Sequence, residues 1–118
     1  MTLKFRAWHM PFGHKGPMQE MVYGKASSIL AFAEMSPDEY IVEQYTGLKD
    51  SNGKEIYVGD IVEATIEGCI QGDKYLVKDM WDPHVWTEES DGYYAVSKME
   101  VQGNVHENPE LLEAQNED

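Results

Sequence analysis

The sequence predicts a mainly β protein, and three observations carry that prediction. Residues 99–106, MEVQGNVH, set Met99, Val101, Gly103 and Val105 against Glu100, Gln102, Asn104 and His106. Residues 61–66, IVEATI, set Val62, Ala64 and Ile66 against Glu63 and Thr65. A period of two marks a strand with one face on a core and the other in water. Third, YTGLKDSNGKEIYVGDIVEA, residues 45–64, places Asn52-Gly53 between runs of branched and aromatic residues, which is the chemistry of a type I′ hairpin turn. The same stretch has the outline of a phosphate loop, with two glycines around a polar segment and a lysine. Five residues separate Gly47 from Gly53, however, and Glu55 follows Lys54. A phosphate loop needs four residues there and a hydroxyl after the lysine, so spacing and charge both exclude it.

In chain order, LKFRAW alternates Leu3, Phe5 and Ala7 against Lys4, Arg6 and Trp8 and reads as a strand. HMPFGHKGPMQEM, with three glycine or proline breaks, reads as a loop. Its His9 and His14 are too few for a metal site without further ligands. ASSILAFAEM, residues 26–35, fits a helical turn or a buried strand equally well and is read as a strand. Ser36, with Pro37 behind it and Glu39 three residues on, has capping-box form and predicts one short helical turn. YIVEQY, EIYV, KYLVK and YYAV are each short, branched or aromatic, and bounded by turn residues, which predicts further strands. ENPELLE places Asn108 at an N-cap and Pro109 at the first helical position. A helix that short must pack Leu111 and Leu112 against the sheet or a neighbouring subunit.

With 118 residues the chain suits one domain. Its single cysteine, Cys69, excludes an internal disulfide, and one thiol with four scattered histidines makes no zinc pattern. No cofactor motif appears. ILAFA is the longest strongly apolar run, far short of the ~18 residues of a membrane helix. Lys4 and Arg6 precede no apolar signal core. The expected location is the cytoplasm. A net charge of −13 argues against direct nucleic-acid binding, which relies on clustered Lys and Arg. Charge is also segregated: residues 1–25 hold Lys4, Arg6, Lys15 and Lys25 against Glu20 alone, and no Lys or Arg follows Lys98. The basic start is expected to dock on the acidic body, and the acidic end to fray.

The densest mixture of aromatics and acids is DMWDPHVWTEESDG. There Trp81 and Trp86 would anchor a partner inside a rim of Asp79, Asp82, Glu88 and Glu89. Two other readings stay open: the tryptophans could cap the end of a barrel, and Asp79, Asp82 and His84 could hold a metal, although such spacings arise by chance in an acidic chain.

KFRAW near the start, QYTGLKDSNGKEIYVGDIV in the middle and VQGNVHENPELL near the end occur together in an order that resembles the YopX family of small phage and prophage proteins. The resemblance implies a single YopX-like domain over 1–118. It would comprise an N-terminal β extension over 1–35, a small SH3-like barrel over 36–112 with a short C-terminal helical turn, and an acidic tail over 113–118. It implies no activity. Gly47, Asn52, Gly53, Gly59, Asp60, Gly103, Asn108 and Pro109, which recur in the likeness, have backbone reasons for their identity. The expectation is therefore a non-enzymatic phage or prophage accessory protein that binds a basic host or phage protein in the cytoplasm of a bacterial cell. It would bind neither nucleic acid nor membrane, and a homo-oligomer is compatible with the sequence. The alternatives are an acidic nucleic-acid mimic that inhibits a host DNA-binding protein and, third, an uncharacterised enzyme.

Overall fold

The computed structural model describes residues 4–66, 69–83 and 96–113, and the chain divides into two compact units between Tyr45 and Thr46. The N-terminal unit is built around β1 (Lys4–His9), flanked by β2 (Glu20–Lys25) and by the first half of β3 (Tyr40–Lys49). Both neighbours run antiparallel to β1, with Phe5 facing Gly24 on one side and Gln44 on the other. Hence β2 and β3 are parallel to each other, with β1 between them.

That arrangement decides the conformation of residues 26–35, which form the helix α1 (Ala26–Met35) and not the expected strand. A chain leaving β2 at Lys25 must travel back along β1 before it can begin β3. Six strand residues span about 17 Å at ~3.4 Å each. Ten helical residues cover about 15 Å, whereas ten extended ones would overshoot to roughly 33 Å. Crossovers between parallel strands are usually helical for this reason. Ile29 is the one buried residue of α1 and packs over Gly24. At the helix end, Ser36 donates its N–H to the Phe32 carbonyl at 3.0 Å. The 3-10 turn Pro37–Glu39 follows where it was expected, but Ser36 makes no side-chain capping bond to it. Tyr40 then stacks on His9 at 4.5 Å between ring centroids and on Phe32 at 6.3 Å.

β2 itself was not anticipated, because EMVYGK lacks a clear alternation and contains a glycine. The loop before it is tied down by one amide. Trp8 Nε1 donates to Gln19 Oε1 at 2.9 Å, and Gln19 Nε2 points among the carbonyls of His14 (2.8 Å), Gly16 (3.0 Å) and Gly13 (3.2 Å). Arg6 does not supply a basic docking surface. Its guanidinium is buried, and its Nε donates to Glu43 Oε1 at 2.9 Å directly across the β1–β3 pair.

In the C-terminal unit, the second half of β3 leads through a tight turn into β4 (Glu55–Tyr57). The hairpin stands where the sequence placed it, but its turn is not type I′, since Gly53 alone has positive φ (+83°) and Asn52 does not. Gly53 N bonds to Asp50 O at 3.0 Å and Asp50 N to Lys54 O at 2.7 Å. This is a three-residue loop, a type I turn closed by a glycine bulge.

The sheet of this unit has the order β6-β5-β7, all antiparallel, from β5 (Asp60–Ile66), β6 (Cys69–Leu76) and β7 (Val96–Asn104). Ile56, Val62, Val77 and Met99 form its buried cluster, with Leu48, Tyr75 and Val101 packed against it. Val62 and Ala64 face inward as their alternation requires. The register of β7 on β5 shifts twice. Thr65 pairs with Lys98 but Ile66 with Val96, and Ile61 pairs with Gly103 but Val62 with Val101, so Gln102 is the extra residue of the second bulge. Asn104, expected on the solvent side, is buried as a result. The chain ends its described part in α2 (Glu110–Glu113), which lies beside β6 with Leu111 and Leu112 half-buried. Among the described residues these strands make a mainly β fold of antiparallel sheets, with no closed barrel.

Candidate functional site

The segment after β6 begins at Val77, which is buried and pinned by two backbone bonds, Val77 N to Asp60 O at 2.9 Å and Gly59 N to Val77 O at 2.8 Å. Pro83 at its other end is fully buried. Between these anchors the chain turns outward, and two aspartates hold the turn. Asp79 Oδ1 accepts from the N–H of Trp81 (2.9 Å) and of Asp82 (3.2 Å), while Asp82 Oδ2 accepts from the N–H of Lys78 (2.8 Å) and of Asp79 (3.2 Å). Backbone donors satisfied in this way fix the turn, which runs into helical residues at Asp82 and Pro83. Its product is an indole on display, for Trp81 is 60% exposed.

Asp79, Trp81 and Asp82 are thus brought together, but with divided roles. The carboxylates build the turn and Trp81 is what the turn presents. Trp86, Glu88 and Glu89, and His84 with them, lie outside the described residues. Among the described residues no three His, Cys, Asp or Glu side chains converge as metal ligands. Also among them, no helix is long and apolar enough to cross a membrane. Cys69, the single cysteine, is exposed.

The buried polar side chains of this unit have architectural partners. Thr46 Oγ1 donates to Ile56 O at 2.7 Å, and Asp60 Oδ2 accepts from Tyr57 N at 2.8 Å. Asn104 Oδ1 accepts from the N–H of Glu107 (2.9 Å) and His106 (3.0 Å), which turns the chain toward α2. Asn108, expected to cap that helix, aims its side chain backward, accepting from Asn104 N at 3.3 Å. A Cβ at Gly103 would collide with the Asn108 side chain, so any other residue there would displace Asn108 from this bond. Asp50 is the most heavily used. Its Oδ1 accepts from the N–H of Asn52 and Lys54, both at 2.9 Å, and its Oδ2 from Val101 N at 2.9 Å. Burial pushes the Asp50 pKa up, but the bonds from Val101, Lys54 and Asn52, with the Lys54 charge, outweigh it and hold the carboxyl below its ordinary value. Sequence reading missed Asp50 as a structural hub. The available signal was its place three residues before the turn glycine, where Asp commonly bonds its own backbone.

The electrostatics of the two units differ. Over residues 1–45, Lys4, Arg6, Lys15 and Lys25 stand against Glu20, Glu34, Asp38, Glu39 and Glu43, a net −1, so residues 46–118 carry −12 of the total −13. Trp81 therefore stands on the strongly acidic unit.

No curated protein matches this chain. Among solved structures, the crystal structure of protein EF1440 from Enterococcus faecalis is similar, with 23% sequence identity, 95% of this chain and 99% of that chain covered, and a TM-score of 0.44. The turn formers placed above, from Asp50 and Gly53 through Gly59 and Asp60 to Gly103, Asn104 and Asn108, all lie within one continuous match to the family described as YopX protein. That match spans residues 4–113, and the chain therefore belongs to the YopX family.

Proposed function

We propose that the protein is a non-enzymatic phage or prophage accessory protein that binds a basic host or phage protein in the bacterial cytoplasm, using Trp81 and Trp86 as apolar anchors inside an acidic rim. In this reading the later strands belong to a small SH3-like barrel that carries the surface, within one YopX-like domain. The observation that carries the proposal is the exposure of Trp81 on a turn clamped by Asp79 and Asp82, in a unit of net −12. An exposed indole on fixed backbone loses little entropy on binding, and interfaces concentrate their energy in such aromatic residues. The acidic field would draw Lys- and Arg-rich surfaces toward it and repel nucleic acid.

The test is retention of a partner from host extract at low salt, its identification by mass spectrometry, and titration of that purified partner against variants. Trp81→Ala and Trp86→Ala are each expected to weaken binding about tenfold or more, and Glu88→Gln or Glu89→Gln less than threefold. Asp79 and Asp82 are poor reporters of charge, because their replacement would also release the turn. Association should slow as salt shortens the Debye length toward ~8 Å. A DNA-binding protein displaced from the tryptophan variants only as weakly as from the wild type would favour the nucleic-acid mimic. A partner bound equally well by the Trp81→Ala/Trp86→Ala double variant, or no partner retained at all, overturns the proposal.

A further inference from the structure

The N-terminal unit carries a second surface of a different kind. β2 stands at the end of its sheet, with β1 on one side and, among the described residues, no strand on the other. Proteins blunt such edges with charge, proline or a bulge. Here Met21, Val22, Tyr23 and Gly24 supply neither charge nor proline, the pairing with β1 runs from Glu20 to Lys25 without a register shift, and the charges sit only at the strand ends. α1 packs chiefly on β1 and β2, on the edge side of the sheet. Seven of its ten residues are Ala, Ile, Leu, Phe or Met and its one charge is Glu34, yet Leu30 is 46%, Phe32 45% and Met35 81% exposed. Ser27, Ser28 and Glu34 give the helix a polar strip, and Phe32 leans toward Tyr40 of β3. Leu30 lies about 200° round the helix from Phe32, on the opposite flank. Apolar area left exposed there marks an interaction surface.

We propose that β2 pairs with β2 of a second copy across a two-fold axis, so that the protein is a dimer through its N-terminal unit. An extended peptide from another protein would satisfy the strand edge but leave α1 uncovered. A second copy brings both a strand and a neighbouring apolar helix. A two-fold axis perpendicular to the sheet makes the strands antiparallel and keeps both helices on the same face, beside one another. Facing residues of an antiparallel pair share a face, so the axis passes at Val22 or at Tyr23. Charge agrees with this choice of occupant. The unit has a net charge of only −1, so two copies can approach here, whereas two units of −12 repel each other. This surface is independent of Trp81, and neither proposal depends on the other.

Sedimentation equilibrium of the full chain tests it. The wild type is expected at twice the chain mass at tens of micromolar. Tyr23→Lys places like charges across the axis, and Met35→Glu charges the helix surface; each should raise the dimer dissociation constant at least tenfold while leaving circular dichroism unchanged. Should Tyr23→Lys fail to fold, cysteine cross-linking decides in a Cys69→Ser background. Facing Cα atoms lie about 4.5–5.5 Å apart, within disulfide reach, so Val22→Cys or Tyr23→Cys should form a dimer on mild oxidation and Ser27→Cys should not. A monomeric wild type, a dimer indifferent to both charge variants, or no cross-link at either position overturns the proposal.

Discussion

Asp50 Oδ2 accepts the N–H of Val101 at 2.9 Å, fifty-one residues further along the chain, and so fastens the β3–β4 turn to strand β7. Ser51 N to Met99 O, at 2.9 Å, repeats the attachment one residue on. A turn that would otherwise be a surface loop is thereby made part of the sheet. The same carboxylate that shapes the turn locally decides where it docks.

The first prediction follows from the depressed pKa of Asp50. The folded state holds this proton less tightly than the unfolded chain does, so the contribution is fully present above about pH 3.8 and is lost as pH falls through the folded-state value. Asp50→Asn should cost about 1.5–3 kcal/mol at pH 6, the range for hydrogen bonds to a charged group. Urea unfolding at pH 6, 4 and 3 should show the two proteins converging as the medium becomes more acid. A constant difference across that range would remove the ionised carboxylate from the account.

Gly53 supplies the second prediction. It sits at φ +83°, and nothing lies within 4 Å of where its Cβ would be, so any cost of substitution comes from the backbone and not from crowding. Gly53→Val should destabilise by about 1 kcal/mol or more, and Gly53→Asn by clearly less, because Asn tolerates the left-handed region. Equal melting temperatures for wild type and Gly53→Val would contradict the bulged turn.

The buried pair Arg6–Glu43 gives a third. Taking the carboxylate away leaves a charged guanidinium in a site with 2% exposure, and Glu43→Ala should cost on the order of 3 kcal/mol. Arg6→Met/Glu43→Leu should recover most of that loss, since apolar residues of similar volume often replace buried ion pairs without penalty. A double variant as unstable as Glu43→Ala would show that this pair is worth more than its desolvation.

Much of the fold was legible because local chemistry determined it. β5 and β7 announced themselves by alternation, and the glycine of the β3–β4 turn by the demand for positive φ. What stayed hidden depended on distant partners. ASSILAFAEM is helical because β2 and β3 are parallel around β1, a fact about three strands that no window of ten residues contains. Arg6 reads as surface charge until Glu43, thirty-seven positions away, comes to lie opposite it. The type I′ expectation failed because Asn52-Gly53 suits two kinds of turn, and the Asp50 carboxylate, bonded to the N–H groups of Asn52 and Lys54, selects the other. At the candidate site, the sequence singled out Trp81, which is exposed, but it did not disclose that one oxygen each of Asp79 and Asp82 is bonded to the backbone of the turn.

The central place of β1 has a consequence for the order of synthesis. β1 leaves the ribosome first, yet one of its two neighbours, β2, is complete at Lys25 and the other pairs through residues as late as Gln44. A lone two-stranded hairpin is marginal in water. At ~5–20 residues per second, about 1–4 s separate the two neighbours. Throughout that interval β1 presents an unfilled edge to anything nearby, and this unit cannot hold its fold until the crossover has been translated and β3 has arrived.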